Sequence, residues 1–150
     1  RGLKFYLVDF SEEMIKLAKK KARKLGVEAE FFVAESTKLP FEDNYFDSGL
    51  CDSVLHCIEK SKDRRDTLKE LYRVLKPGAR AKISVWNKDS KRFKNSPKEK
   101  YVGWRDKGKR FYYLYEPEEF YKEVEKAGFK IIKKAESRSA IPIIVEKPDY

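Results

Sequence analysis

The sequence is poor in the side chains that build metal and disulfide frameworks. It has one histidine, two cysteines, one methionine and no glutamine. Two cysteines without a CxxC spacing are too few for a disulfide framework. Cys51 and Cys57 therefore read as reduced thiols of a cytoplasmic protein. One histidine leaves too few ligands for a zinc cage. No apolar run approaches the roughly 18 residues of a membrane span, so no membrane partner is expected. No internal repeat is evident, and the ample aromatic content argues against disorder.

Charge is plentiful. Lysine and arginine number 35 against 25 acidic residues, a formal net charge of +10. One reading is attraction to a polyanion, most simply RNA. Another is the Lys/Glu-rich surface of a thermophile, which the missing glutamine also suits. The two are compatible. A chain of 150 residues supports one domain with a modest core.

The chain is organised around Phe46–Trp86. Phe46–Leu55 is a short, mostly apolar strand. Asp52 falls inside it, where an unpaired carboxylate is costly. Asp63–Leu75 carries Leu68, Leu71, Val74 and Leu75 at helical spacing. Lys76-Pro77-Gly78 stops that helix in a turn, and Ala81–Trp86 alternates as a strand. A strand–helix–strand unit of this length predicts a right-handed crossover and parallel pairing.

Upstream, Leu3–Val8 reads as a strand ending at Asp9. Ser11 caps a helix with Met14, Ile15, Ala18, Ala22 and Leu25 on one face, closed by Gly26. Glu28–Ala34 is the next strand, and 39–44 form a loop. Downstream, Asn87–Arg110 is a long, lysine-rich polar segment, a length that suggests function or mobility. Phe111–Tyr115 is aromatic. Pro117 opens a helix with Phe120, Tyr121, Val124 and Ala127 on one face, and Gly128 closes it. Phe129–Ala135 and Ala140–Val145 read as final strands, the latter broken by Pro142.

The pattern FD…LYRVLKPGARAKISVW resembles the second half of class I, S-adenosylmethionine-dependent methyltransferases. The resemblance implies an α/β, Rossmann-like sheet flanked by helices, with strand order 3-2-1-4-5-7-6. Mapped onto it, residues 1–150 supply strands 2 to 7 of a single domain. Strand 1 and the glycine-rich loop that cradles the cofactor's methionine part are lacking, and a preceding βα unit is expected. S-adenosylmethionine is the implied cofactor. Asp9, at the end of an apolar strand, suits the ribose hydroxyls, and the resemblance adds Phe10, Glu35, Ser36 and Leu55 as cofactor contacts. Glu35 stands where aspartate commonly meets the adenine amino group. Leu39 and Phe41 could line the adenine pocket or simply pack the loop.

Further segments are similar to tRNA wobble-uridine carboxymethyl methyltransferases. These are Val54-Leu55-His56-Cys57, Arg64-Arg65, Val85-Trp86, Val102-Gly103-Trp104 and Arg110-Phe111-Tyr112-Tyr113-Leu114-Tyr115. This resemblance implies tRNA as partner and methyl ester formation on a carboxylate already ionised at neutral pH. Such chemistry needs alignment and a cation more than a base. Arg110 is the expected carboxylate-orienting cation and His56 the hydrogen-bonding residue on the substrate side. A satisfied core histidine is the alternative for His56. Trp104, Tyr112 and Tyr115 are the expected base-stacking residues. Residues 87–110, with Phe93, Tyr101 and Trp104 among the cations, would form a basic substrate-side insertion. The resemblance also implies a small zinc-binding activator subunit adding a strand at the Glu28–Ala34 edge. Two other functions stay open: a small-molecule methyltransferase of the same superfamily, and a non-catalytic binding domain.

Overall fold

The computed structural model describes residues 2–103, 108–135 and 137–149. The chain forms two compact units, Arg1–Pro40 and Phe41–Tyr150. In the first, strand β1 (Phe5–Asp9) pairs in parallel with β2 (Ala29–Val33), and helix α1 (Glu12–Leu25) connects them. The Ser11 hydroxyl accepts from the Met14 N–H, and Gly26 turns left-handed at φ 68°, so both helix ends are closed as the sequence predicts. Among the described residues of this unit only Ile15 is a buried hydrophobic; Phe5, Leu7, Met14, Leu25 and Val33 are exposed.

The second unit is a four-stranded mixed sheet with a separate hairpin. Its strands are β3 (Phe46–Asp52), β4 (Leu75–Trp86), β7 (Lys130–Lys134) and β8 (Ala140–Glu146), in the order β3-β4-β8-β7. Strands β3 and β4 are parallel, joined by helix α2 (Ser61–Val74), whereas β8 runs antiparallel to both its neighbours. The pairs found in the two units are the 3-2 and 4-5-7-6 runs of the expected order. Alternation places Ala81, Ile83 and Val85 of β4 and Ile141, Ile143 and Val145 of β8 in the core. Leu68 of α2 joins them, as do Phe120 and Val124 of helix α3 (Pro117–Lys126).

Three local expectations change. The Lys76-Pro77-Gly78 turn is absorbed into the start of β4, where the register jumps between Phe46 and Ser48. Gly78 takes φ 83° there and donates its N–H to the Lys147 carbonyl. Pro142 does not break β8. Its carbonyl accepts from the Ala135 N–H, so its missing N–H faces the side where the β7 ladder has already ended at Lys134. The polar segment 87–110 is a set of turns followed by a hairpin, β5 (Glu99–Gly103) with β6 (Lys109–Tyr113). No helix is long and apolar enough to cross a membrane among the described residues.

Two glycines separate backbone strain from steric strain. A Cβ at Gly78 meets nothing within 4 Å, but one at Gly128 (φ 110°) lies 2.8 Å from the Tyr72 ring. That ring packs edge-on against Phe129 at 5.1 Å. Gly78→Ala is expected to cost about 1–2 kcal/mol from the left-handed backbone alone. Gly128→Ala should cost more, because Tyr72 must also move. Urea midpoints of the two variants check the order.

Candidate active site

Functional groups in open α/β sheets gather beyond the carboxyl ends of parallel strands. In the first unit these are the ends of β1 and β2. Asp9 ends β1, and its Oδ1 accepts the Ser11 N–H at 2.8 Å. Phe10 follows with its side chain 78% exposed. The Ala34 N–H donates to the Asp9 carbonyl at 3.0 Å, which sets Glu35 and Ser36 next to Asp9 across the strand pair. Glu35 is exposed, and its carbonyl closes a turn with the Lys38 N–H. A hollow of about 280 Å³ bounded by Lys19, Arg23, Glu28 and Phe31 lies at the other end of β2, away from these carboxylates. Phe41, in the second unit, packs edge-on against Phe46 at 4.8 Å, which is its loop-packing role.

In the second unit the ends of β3 and β4 bring polar side chains together. Asp52 is exposed at the last position of β3 and accepts the Ser84 hydroxyl, so the cost of a carboxylate inside an apolar strand does not arise. Ser53 then takes φ 59° while its N–H still reaches the Ser84 carbonyl. The chain turns away into a single 3-10 turn, Leu55–Cys57. That turn carries His56 back onto β4. The Trp86 N–H donates to His56 Nδ1 at 3.1 Å, and the imidazole stacks on the indole at 4.8 Å and 17°.

An acceptor at Nδ1 puts the proton of the neutral ring on Nε2. Burial and the positive charge of Arg110 push the His56 pKa down to about 4. His56 is therefore a neutral hydrogen-bond donor at physiological pH, not a base. Cys57 is pushed up by burial and pulled back in part by Arg110. Cys51, fully enclosed and next to Asp52, is pushed up to about 12 and is inert.

Strand β6 packs against the His56 turn and brings Arg110 and Tyr112 with it. His56 and Arg110, both offered by the sequence for catalysis, are thus neighbours, with His56 only 1% exposed, as the core-histidine alternative expects. Leu55 is fully buried, a core residue under the turn.

The aromatic expectations need correction. Tyr112 is buried with its ring 4.3 Å from Trp86 and 5.6 Å from His56. Tyr115 is 0% exposed and packs on Tyr113 and Phe120. Neither presents a face to a base. Apolar ring area outweighs the polar tip in this core. Phe93 is also buried, stacked on Trp86 at 4.8 Å. Trp104 lies outside the described residues. Among the described residues of the hairpin the exposed aromatic is Tyr101, 58% exposed, whose hydroxyl donates to Glu59 at 3.0 Å.

The sequence reading missed the Ser53 turn and the Asp52–Ser84 pair. Its one available signal was the polar Asp-Ser interruption of an apolar run. Among the described residues no three His, Cys, Asp or Glu side chains gather as a metal site.

The family described as "Methyltransferase domain" matches residues 1–83. The chain belongs to that family. The ubiquinone/menaquinone biosynthesis C-methyltransferase UbiE of Escherichia coli O1:K1 / APEC is 36% identical over 87 residues, covering 57% of this chain and 34% of the relative. The chain thus spans about a third of the length of the curated relatives it matches. Among solved structures, a SAM-dependent methyltransferase of Methanosarcina mazei superposes with a TM-score of 0.80 at 23% identity, covering 98% of this chain and 83% of that one. A SAM-dependent methyltransferase of Aquifex aeolicus gives 0.71 at 27% identity, covering 96% and 69%.

The α/β, Rossmann-like methyltransferase fold is therefore established, and S-adenosylmethionine is the family's cofactor. The residues beyond β1 and β2 fit its adenosine end. A carboxylate at a strand terminus suits the ribose diol, an exposed phenyl ring beside it suits an apolar cover, and a second exposed carboxylate suits the adenine amino group.

A buried histidine with a lowered pKa ties stability to pH. The unfolded chain binds a proton on His56 near pH 6.5, and the folded chain does so only near 4. Its contribution is complete above pH 6.5 and is lost as the pH falls toward 4, amounting to about 3 kcal/mol. His56→Gln should flatten the fall in unfolding free energy between pH 6.5 and 4 by about that amount, measured by urea denaturation at each pH.

Proposed function

We propose that this chain carries the adenosine-binding and acceptor-facing parts of an S-adenosylmethionine-dependent methyltransferase that esterifies a carboxymethyl-type wobble uridine of tRNA. The observation that carries the reading is the His56–Arg110 pair. One is a neutral donor with its Nδ1 already occupied, and the other is a cation whose charge His56 feels. This pair suits an acceptor that arrives ionised. It does not suit one that must first lose a proton to a base.

When bound, the cofactor supplies an electrophilic methyl group. Asp9 and Glu35 would hold its adenosine end. Arg110 orients the carboxylate, through two parallel N–H···O bonds where geometry permits. His56 donates from Nε2 to the same acceptor. The buried rings of Phe93 and Tyr112 and the half-buried ring of Trp86 keep the imidazole rigid and exclude water behind it. The carboxylate would become its methyl ester as the methyl–sulfur bond of the sulfonium breaks to leave a neutral thioether, and no proton has to move.

The substrate class rests on the resemblance and on charge. Lys91, Arg92, Lys94 and Lys109 are exposed on the turns and hairpin after β4, as a phosphate-tracking surface requires. A zinc-binding activator strand beside β2 belongs to the same proposal. A second reading follows from the name of the UbiE relative, namely methylation of a small aromatic acceptor.

Calorimetric titration of S-adenosylmethionine, followed by methyl transfer to carboxymethyluridine tRNA and to small quinols, separates the readings. The expected result is cofactor binding that Asp9→Ala weakens about tenfold. Arg110→Met should lower ester formation about a hundredfold at unchanged cofactor affinity. Turnover of the quinol alone would establish the second reading. Cofactor binding indifferent to Asp9 would overturn the first unit's assignment.

A further inference from the structure

Arg64 lies in the first turn of an amphipathic helix, yet it is 4% exposed. Burying a guanidinium is costly unless its donors are used. Its Nη1 donates to two consecutive backbone carbonyls, Ile58 at 2.6 Å and Glu59 at 3.0 Å. Its plane lies over the Tyr113 ring, 3.9 Å from the centroid. Tyr113 in turn is fixed by its hydroxyl donating to Glu119 of α3, and Glu119 pairs with Lys98 at 2.9 Å. The Arg64 Nε is buried without a partner among the described residues. Among the described residues its hydrogen bonds go to these two carbonyls and its plane covers one ring, while its charge is felt by the Glu123 carboxylate.

The placement of those partners gives the contact its meaning. Ile58 and Glu59 directly follow the Leu55–Cys57 turn, and Tyr113 ends the strand that carries Arg110 and Tyr112. One guanidinium thus ties the trailing end of the His56 turn to the trailing end of the Arg110 strand. The same stretch is held from outside by Tyr101 of β5, whose hydroxyl donates to the Glu59 carboxylate.

We propose that Arg64 is a positioning residue: its two carbonyl bonds and its stacking on Tyr113 fix the His56 turn against β6, so that His56 and Arg110 act on one acceptor. The contact with the acceptor stays with His56 and Arg110, and the proposal rests on reading those two as the acceptor-side pair. Lysine is a poor substitute here. It has no planar face for Tyr113 and a shorter reach to two carbonyls.

His56 is the only histidine of the chain, so its imidazole resonances report the site without ambiguity. Around the ring stand Arg110 and Tyr112 of β6, Trp86 of β4 and Cys57 of its own turn. The test is the His56 titration by NMR in the whole protein, without cofactor or substrate. Arg64→Lys keeps the charge. It should nevertheless raise the His56 midpoint from about 4 by about 1, as the turn loosens and water reaches the ring. Arg64→Met should raise it further. Arg65→Lys, on the exposed neighbour, should leave it unchanged.

An Arg64→Lys protein with a lower melting temperature but the wild-type His56 midpoint would overturn the proposal and leave Arg64 a purely structural residue. Failure of Arg64→Met to fold does not affect this decision, because the lysine variant makes it. The result is also independent of turnover. A loosened turn in a protein that methylates nothing would count against the methyl-transfer reading and not against the clamp.

Discussion

The bond from the Trp86 N–H to His56 Nδ1 is the interaction on which the proposed acceptor-side site depends. Strand β4 is central and must satisfy neighbours on both sides. The parallel ladder with β3 runs to the Ser53 N–H on the Ser84 carbonyl. Continued by one step, it would give the Trp86 N–H the Ser53 carbonyl. The left-handed turn at Ser53 removes that acceptor, and a part-buried backbone donor is costly to leave without one. The imidazole takes the vacant place. A side chain completing a sheet ladder is held as firmly as the sheet, which is what a group that must aim a hydrogen bond requires.

The aromatic residues serve that geometry. Trp86 is covered by His56 and Phe93, with Tyr112 tilted beside it and the Arg92 guanidinium 4.8 Å from its ring. Offset rings and a cation make a stiff layer at modest electrostatic gain. The same layer lowers the His56 pKa by removing water from the ring. Rigidity and protonation state thus have one cause.

Much of the fold was legible because its signals are local. Ser11, Gly26 and Gly128 mark helix ends, and Leu68, Phe120 and Val124 recur at helical spacing. The strand runs of the resemblance reappear as β1–β2 and as β3-β4-β8-β7. What stayed hidden depends on partners distant in sequence. The hairpin of β5 and β6 is made of lysine-rich segments whose alternation is obscured by charge. Pro142 reads as a breaker until the neighbouring ladder is seen to have ended. Tyr112, Tyr115 and Phe93 carry the same letters whether they face a base or the core. At the site, Asp9, Glu35, His56 and Arg110 were legible as residue types at strand ends and in motifs. Arg64 was visible only as half of an arginine pair, because no local pattern tells a buried guanidinium from a solvated one.

Protonation bears on the proposed acceptor in a way that family membership does not. A carbon acceptor must shed a proton during methylation, and a group titrating near neutrality is the efficient way to take it. His56 titrates near 4 and has its basic nitrogen engaged. Cys57 is pushed up, away from neutrality, by burial. The cation at Arg110 favours negative charge on whatever stands beside it and opposes the formation of a second cation there, so it would disfavour His56 as a proton acceptor even if Nδ1 were released. An acceptor that is already an anion meets none of these obstacles. On the proposed reading it would gain from Arg110 on arrival and need only direction from His56. The electrostatics that make this histidine a poor base are the same that make it a good neutral donor to a carboxylate.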